Sequence, residues 1–367
     1  MKNILFIGID MRCAGTEKSF LSYLKRYDKT QYNITLLLAK KQGELLDKLP
    51  DYINIIEMPK PYGNLFLLNK DDATTVIFRD ILPHHPLVVF KLLSEIYDIK
   101  VKKQGSRKME LWYKLMQLIP PLEGHYDEAF AYWGEKTMFY MLEKVSADYK
   151  INRQHFSYEG TPYAQPLYYD AYKKCDRIEH VAKVINDEFQ RLFPDIADKA
   201  VFVPNTVDNN EIKCLSEKDG GFTDTDFHGR RILTIARLCP QKGLDAAAKA
   251  IKLLTRCVNV RWYIIGEGID KEKLAEYAVE NEIEDKIIFL GQIENPYPYI
   301  KQCNLYLQPS RYEGMPITVE EAKILEKPIV ACDYLSAEEQ LKDYDNSIIC
   351  KLNEISLCDG ILTLFNI

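Results

Sequence analysis

No stretch of eighteen consecutive apolar residues occurs in this chain, so no membrane-spanning helix is expected. C-x-x-C pairs and other metal-ligand spacings are missing as well. The nine cysteines, at positions 13, 175, 214, 239, 257, 303, 332, 350 and 358, are odd in number and scattered. That pattern speaks against a disulfide framework or a zinc site and for a reduced, cytoplasmic compartment. An excess of positive charge is also absent: the formal net charge of -6 argues against a general nucleic-acid binder. The start, M-K-N-I-L-F-I-G-I-D, has too short an apolar run for a signal peptide and reads as a first strand.

What is present is an alternation of short apolar runs and amphipathic stretches over 367 residues, a length comfortable for two domains. Strands are expected at 4–9, 34–39, 53–57, 129–132, 150–154, 178–184 and 201–203, with a helix over 20–27. The second half repeats the rhythm, with strands at 231–236, 261–265, 287–290, 305–307 and 329–332 and helices at 244–254, 271–281, 298–303 and 357–365. A polar run, 215–229, lies between the halves, so the connection is expected near 205–230 and the domains at 1–207 and 208–367. This is an α/β chain of two doubly wound sheets. The stretch 91–114 carries seven basic and three acidic residues, a local excess of +4, which suits either a solvated helical face or peripheral contact with an anionic membrane.

The chemistry concentrates in Ser310–Pro328, reading S-R-Y-E-G-M-P-I-T-V-E-E-A-K-I-L-E-K-P. Pro316 suits the first position of a helix. Glu313 then falls in the loop before it and Glu321 about one turn inside. The amides of Gly314, Met315, Ile317 and Thr318 would stand at its positive end, an anion site between two carboxylates. Upstream, Arg237 and Lys242 in A-R-L-C-P-Q-K-G follow a strand, where an arginine fork and a lysine can neutralise a diphosphate; a pair of surface cations near a turn is the bland alternative. Gly15, after the first strand, stands where a loop can approach a phosphate or simply turn.

The ordered set A-R-L-x-x-x-K-G, Y-I-I-G-E-G, F-L-G-Q, P-S-R-Y-E-G-M-P-x-x-x-x-E-A and K-P-I-V-A, with the E-x₇-E spacing of Glu313 and Glu321, resembles family 4 of the retaining glycosyltransferases. The likeness continues more loosely through A-G-T-E-K-S, K-I-N-R-Q-H and V-P-N-T-V-D. It implies the GT-B fold: two Rossmann-like domains facing each other across a cleft, here with the C-terminal return helices short or missing. It implies that Arg237 and Lys242 bind the donor diphosphate, that Glu321 accepts from ribose hydroxyls, and that Glu313 contacts the donor sugar. Residues Gly314, Met315, Pro316, Ile317 and Thr318 would hold sugar and phosphate, Gly291 and Gln292 would border the base, Gly15 would let the first-domain loop near the diphosphate, and His155 would lie by sugar and acceptor. Two positions depart from the pattern: Ala14 replaces a loop glycine, and Glu326 stands where glycine is usual.

The function expected is transfer, with retention, from a UDP-linked nucleotide sugar to a glycan or polyprenyl-linked acceptor in surface polysaccharide synthesis. No cofactor and no metal are expected, because Arg237, Lys242 and the helix amides supply the positive charge. The place expected is the cytoplasm or the inner face of the membrane. A non-catalytic glycosyltransferase-like partner subunit is the alternative, favoured by Ala14 and the short tail. A sugar-nucleotide epimerase of the same fold would need an acid/base set that the sequence does not reveal.

Overall fold

The computed structural model describes residues 1–12, 15–67, 73–87, 92, 97, 108–158 and 166–367. They form two compact units, Met1–Pro204 and Asn205–Ile367. The expected basic segment 91–114 lies largely outside the described residues, as does Ala14.

The first unit is built on a seven-stranded sheet of order β3-β2-β1-β4-β5-β6-β7. Its strands are β1 (Lys2–Gly8), β2 (Tyr32–Leu38), β3 (Asn54–Glu57), β4 (His125–Ala131), β5 (Ser146–Gln154), β6 (Arg177–His180) and β7 (Ala200–Phe202). Every pairing is parallel. Parallel strands are covered on both faces, so the central ones read as unbroken apolar runs; Ile4, Leu5, Phe6 and Ile7 are all fully buried.

Two expectations are corrected here. The first helix runs Gly15–Leu24 rather than 20–27, because its first turn buries Glu17 and Ser19 beside Phe20 and Tyr23, a polar inward face that apolar periodicity overlooks. The strand expected over 178–184 stops at His180. Val181, Ala182 and Ile185 stay buried across the junction into the helix Lys183–Leu192, so the apolar run outlasts the strand.

The second unit holds a six-stranded parallel sheet of order β10-β9-β8-β11-β12-β13. Its strands are β8 (Arg230–Ile235), β9 (Val260–Ile265), β10 (Ile287–Gly291), β11 (Leu305–Gln308), β12 (Ile329–Cys332) and β13 (Ser347–Cys350). The last was not anticipated from the sequence; it is short and lies at the sheet edge. Alternate residues serve two cores. Ile232, Trp262, Ile264, Leu305 and Leu307 pack with the helices Leu244–Leu254 and Glu354–Phe365, while Leu233, Tyr263, Ile265 and Tyr306 pack with Tyr297–Gln302 and Ile317–Ile324. Residues 205–229 belong to this unit: Asp208 caps the helix Asn209–Ser216, and Asp224 is bound by Arg231 and Arg261. The strand order reverses between β8 and β11, and open α/β sheets bind ligands at the carboxyl ends beside such a reversal.

Candidate functional site

Three strands, β8, β10 and β11, deliver the expected second-half residues at or beyond their carboxyl ends, with β9 lying between β10 and β8. Beyond β8, Arg237 is exposed. The turn that follows bends through Gly243 at φ +62, and a Cβ there would sit 1.9 Å from the Pro309 carbonyl oxygen. Only glycine permits that approach. Further bonds brace the two segments together: the Arg311 amide donates to the Gln241 carbonyl (2.8 Å) and Gln241 Nε2 to the Tyr312 carbonyl (3.0 Å). Arg311 also forks onto Asp245 at 2.9 and 2.8 Å.

This bracing brings Lys242 and Glu313 into contact, 71 residues apart in sequence. Lys242 Nζ lies 2.5 Å from Glu313 Oε1, with the two side chains 14% and 7% exposed. Glu313 Oε1 also accepts from Ser310 Oγ (2.6 Å) and Gln308 Nε2 (3.0 Å). Lysine carries three donors, and among the described residues only the one to Glu313 is engaged, leaving two to reach a ligand anion.

The helix begins at Ile317 with Pro316 as its N-cap, one position later than expected. Its first amides have no intrahelical acceptor, as in any helix start. Gly314 is buried and Met315, Pro316 and Thr318 are half-buried along this rim. Glu321 lies deeper, 1% exposed, with Oε1 accepting from the Tyr297 hydroxyl at 2.9 Å. The structure thus pairs Lys242 with Glu313 directly, while Glu321 is held by a tyrosine from a neighbouring helix. Gly291 ends β10 at φ +71, where a built Cβ would come within 3.3 Å of Glu267 Oε1, and Gln292 beside it is exposed.

In the first unit, Gly15 opens its helix in an exposed position, and a Cβ there would meet nothing within 4 Å. His155 follows β5. Its Nε2 lies 2.9 Å from the Tyr132 carbonyl oxygen, which can only accept, so Nε2 carries the proton and Nδ1 bears the lone pair. Burial, with help from the Arg153 guanidinium, pushes the imidazole down to about 3, leaving it neutral at physiological pH.

Glu17 lies within the A-G-T-E-K-S stretch, where the sequence alone assigns it no role. Burial pushes its carboxyl up to about 7; Oε1 accepts from Trp133 Nε1 at 2.9 Å, and among the described residues buried Oε2 has no hydrogen-bond partner. Gln308, Ser310 and Tyr297 likewise carry no sequence signal, since a buried polar residue at a strand end, in a loop or at a helix start leaves no periodic pattern.

Among the described residues, no group of three or more His, Cys, Asp or Glu is placed to hold a metal ion, and no helix is long and apolar enough to cross a membrane.

The two Rossmann-like units and their parallel sheets constitute the GT-B fold, and solved structures share it. A structure of the Anabaena protein HepE in complex with UDP and glucose superposes with a TM-score of 0.66 at 16% identity, covering 100% of this chain and 90% of that one. Residues 224–366 match the family model described as Glycosyl transferases group 1, so the second unit carries that domain.

An uncharacterized glycosyltransferase of Methanocaldococcus jannaschii is 25% identical over 319 residues, 80% of this chain and 75% of its own length. The N-acetylgalactosamine-N,N'-diacetylbacillosaminyl-diphospho-undecaprenol 4-alpha-N-acetylgalactosaminyltransferase of Campylobacter jejuni is 26% identical over 195 residues, 53% of this chain and 52% of that one. The domain match and these relatives support a glycosyltransferase.

Proposed function

We propose that this protein transfers a sugar, with retention at the anomeric carbon, from a UDP-linked donor to a glycan or polyprenyl-linked acceptor. The observation that carries the proposal is the Lys242–Glu313 pair at the start of the helix Ile317–Ile324, beside the reversal of strand order. A diphosphate leaving group gathers negative charge as the glycosidic bond breaks. Arg237, the spare donors of Lys242 and the first helix amides are the groups to meet it, electrostatic stabilisation that requires no metal. Glu313 then holds the sugar and Glu321 the ribose hydroxyls. Retention follows from front-face attack, in which the departing phosphate oxygen helps to deprotonate the acceptor hydroxyl. Neutral His155, with Nδ1 free to accept, suits a sugar or acceptor hydroxyl better than an anion.

The choice of UDP draws on the Anabaena complex, and the lipid-linked acceptor on the name of the Campylobacter relative. Surface polysaccharide synthesis is the setting that fits both. Peripheral contact with an anionic inner membrane face through 91–114 would place such an acceptor within reach.

The test is titration of the full chain with UDP, followed by assays of slow hydrolysis of UDP-, GDP- and ADP-sugars. UDP is expected to bind, and Arg237→Ala and Glu321→Ala are expected to lose hydrolysis while staying folded. A chain that binds no UDP would instead be a non-catalytic relative, and undiminished turnover in both variants would end the assignment of roles.

A further inference from the structure

We propose that Gln308 is a positioning residue that orients Glu313, so that one carboxylate oxygen is locked inside the protein and the other is presented to the donor sugar. The inference rests on the reading above, in which Glu313 contacts that sugar.

Three donors converge on a single atom. Glu313 Oε1 accepts from Lys242 Nζ at 2.5 Å, Ser310 Oγ at 2.6 Å and Gln308 Nε2 at 3.0 Å. Among the described residues no donor reaches Oε2. A carboxylate loaded on one oxygen cannot turn about its last bond without breaking all three contacts at once.

The Gln308 amide is itself fixed. Its oxygen accepts from the Tyr306 hydroxyl at 3.0 Å and the Thr318 hydroxyl at 3.4 Å, and its Nε2 also donates to Ser310 Oγ at 2.9 Å. The opposite amide orientation would face its oxygen to an acceptor-only carboxylate, so the direction of each bond is determined. Gln308 is the last residue of β11, in register with Ala331 of β12, which anchors its backbone in the sheet. Tyr306, Gln308 and Ser310 are each at most 1% exposed, so water does not compete for these bonds. The chain from Tyr306 and Thr318 through Gln308 to Glu313 links the strand, the loop and the helix start.

Holding a contacting group within a fraction of an ångström is worth far more to the chemical step than to donor binding, which the diphosphate contacts dominate. Gln308→Met keeps the volume and removes the amide. With hydrolysis of UDP-glucose and UDP-N-acetylglucosamine as the assay, it is expected to lower kcat about 10–100-fold while KM shifts less than about 3-fold. The deciding measurement is the cycle with Glu313→Ala: if Gln308 acts through Glu313, the double variant is no slower than Glu313→Ala alone.

Additive losses, or a wild-type kcat in Gln308→Met beside a crippled Glu313→Ala, would overturn the inference and leave the functional reading standing. Wild-type turnover in Glu313→Ala would bring down the functional reading itself. Should Gln308→Met fail to fold, Tyr306→Phe removes only the anchoring hydroxyl. It is expected to give a loss of about 3–10-fold with the same non-additivity, and its absence there would overturn the proposal equally.

Discussion

The carboxyl-end rims of the two sheets are built on opposite principles. In the second unit, segments 239–245 and 308–313 are cross-braced by charged and backbone bonds, and Lys242, Gln308 and Ser310 all spend donors on one carboxylate oxygen. In the first unit, Glu17 and His155 each show one side-chain hydrogen bond among the described residues, and burial pushes both toward their neutral forms. The second rim pairs opposite charges at Lys242 and Glu313, whereas burial disfavours charge on Glu17 and His155 in the first.

The strongest way to break this contrast is Lys242→Ala. It removes a cation from the proposed diphosphate site and leaves Glu313 buried without its counterion. Turnover of a UDP-sugar is expected to fall about 10²–10³-fold, with a loss of about 1–3 kcal/mol in stability from the orphaned carboxylate. Steady-state kinetics and denaturant unfolding check the two effects separately.

Next in size is Glu17→Gln in the other rim. The folded carboxyl sits near 7, above its unfolded value, so the folded state holds the extra proton. Its cost is absent below the unfolded value, grows as pH rises from about 4.5, and is fully present above about 7. Glutamine keeps an acceptor for Trp133 and cannot ionise. The variant is therefore expected to gain on the order of 2–3 kcal/mol over wild type at pH 8 and almost nothing at pH 4.5. A gain of equal size at both pH values would show that ionisation is not its source.

His155 carries the opposite sign. Its folded value lies below the unfolded one, so protonation favours the unfolded chain and stability falls as pH drops through about 6.5. His155→Gln is expected to recover about 1–2 kcal/mol at pH 5 and none at pH 8. By NMR, the His155 ring resonances should stay flat between those values; a titration near 6.5 would refute the burial argument.

The difference between the rims also explains what was legible in advance. Arg237, Lys242, Glu313 and Glu321 stand just past strand ends or near a helix start, which the sequence shows; that Lys242 meets Glu313, 71 residues on, only the fold shows. The parallel sheets were legible for a similar reason: runs such as Ile4–Ile7 and Leu305–Leu307 are apolar at every position because both faces are covered. Glu17, Gln308 and Tyr297 were not, since their importance comes from partners 116, 5 and 24 residues away that only the fold brings near. The edge strand Ser347–Cys350 escaped because four residues carry too little pattern.

The smallest expected effect concerns the exit of the helix that carries Glu321. The Lys327 amide donates to the Ala322 carbonyl at 3.0 Å and the Glu326 amide to the Lys323 carbonyl at 2.9 Å, the Schellman arrangement. That closure needs a left-handed residue, and Glu326 fills the position at φ +56 with its side chain exposed. A Cβ in this conformation is strained, whereas glycine adopts it freely but gives up more unfolded-state entropy. Glu326→Gly is accordingly expected to stabilise the second unit by about 0.5–1 kcal/mol, measured by denaturant unfolding, with UDP-sugar turnover unchanged. A loss of activity without a loss of stability would mean that the strained exit sets the pitch of the helix, and with it the position of Glu321, so that the second rim depends on its last turn as well as its first.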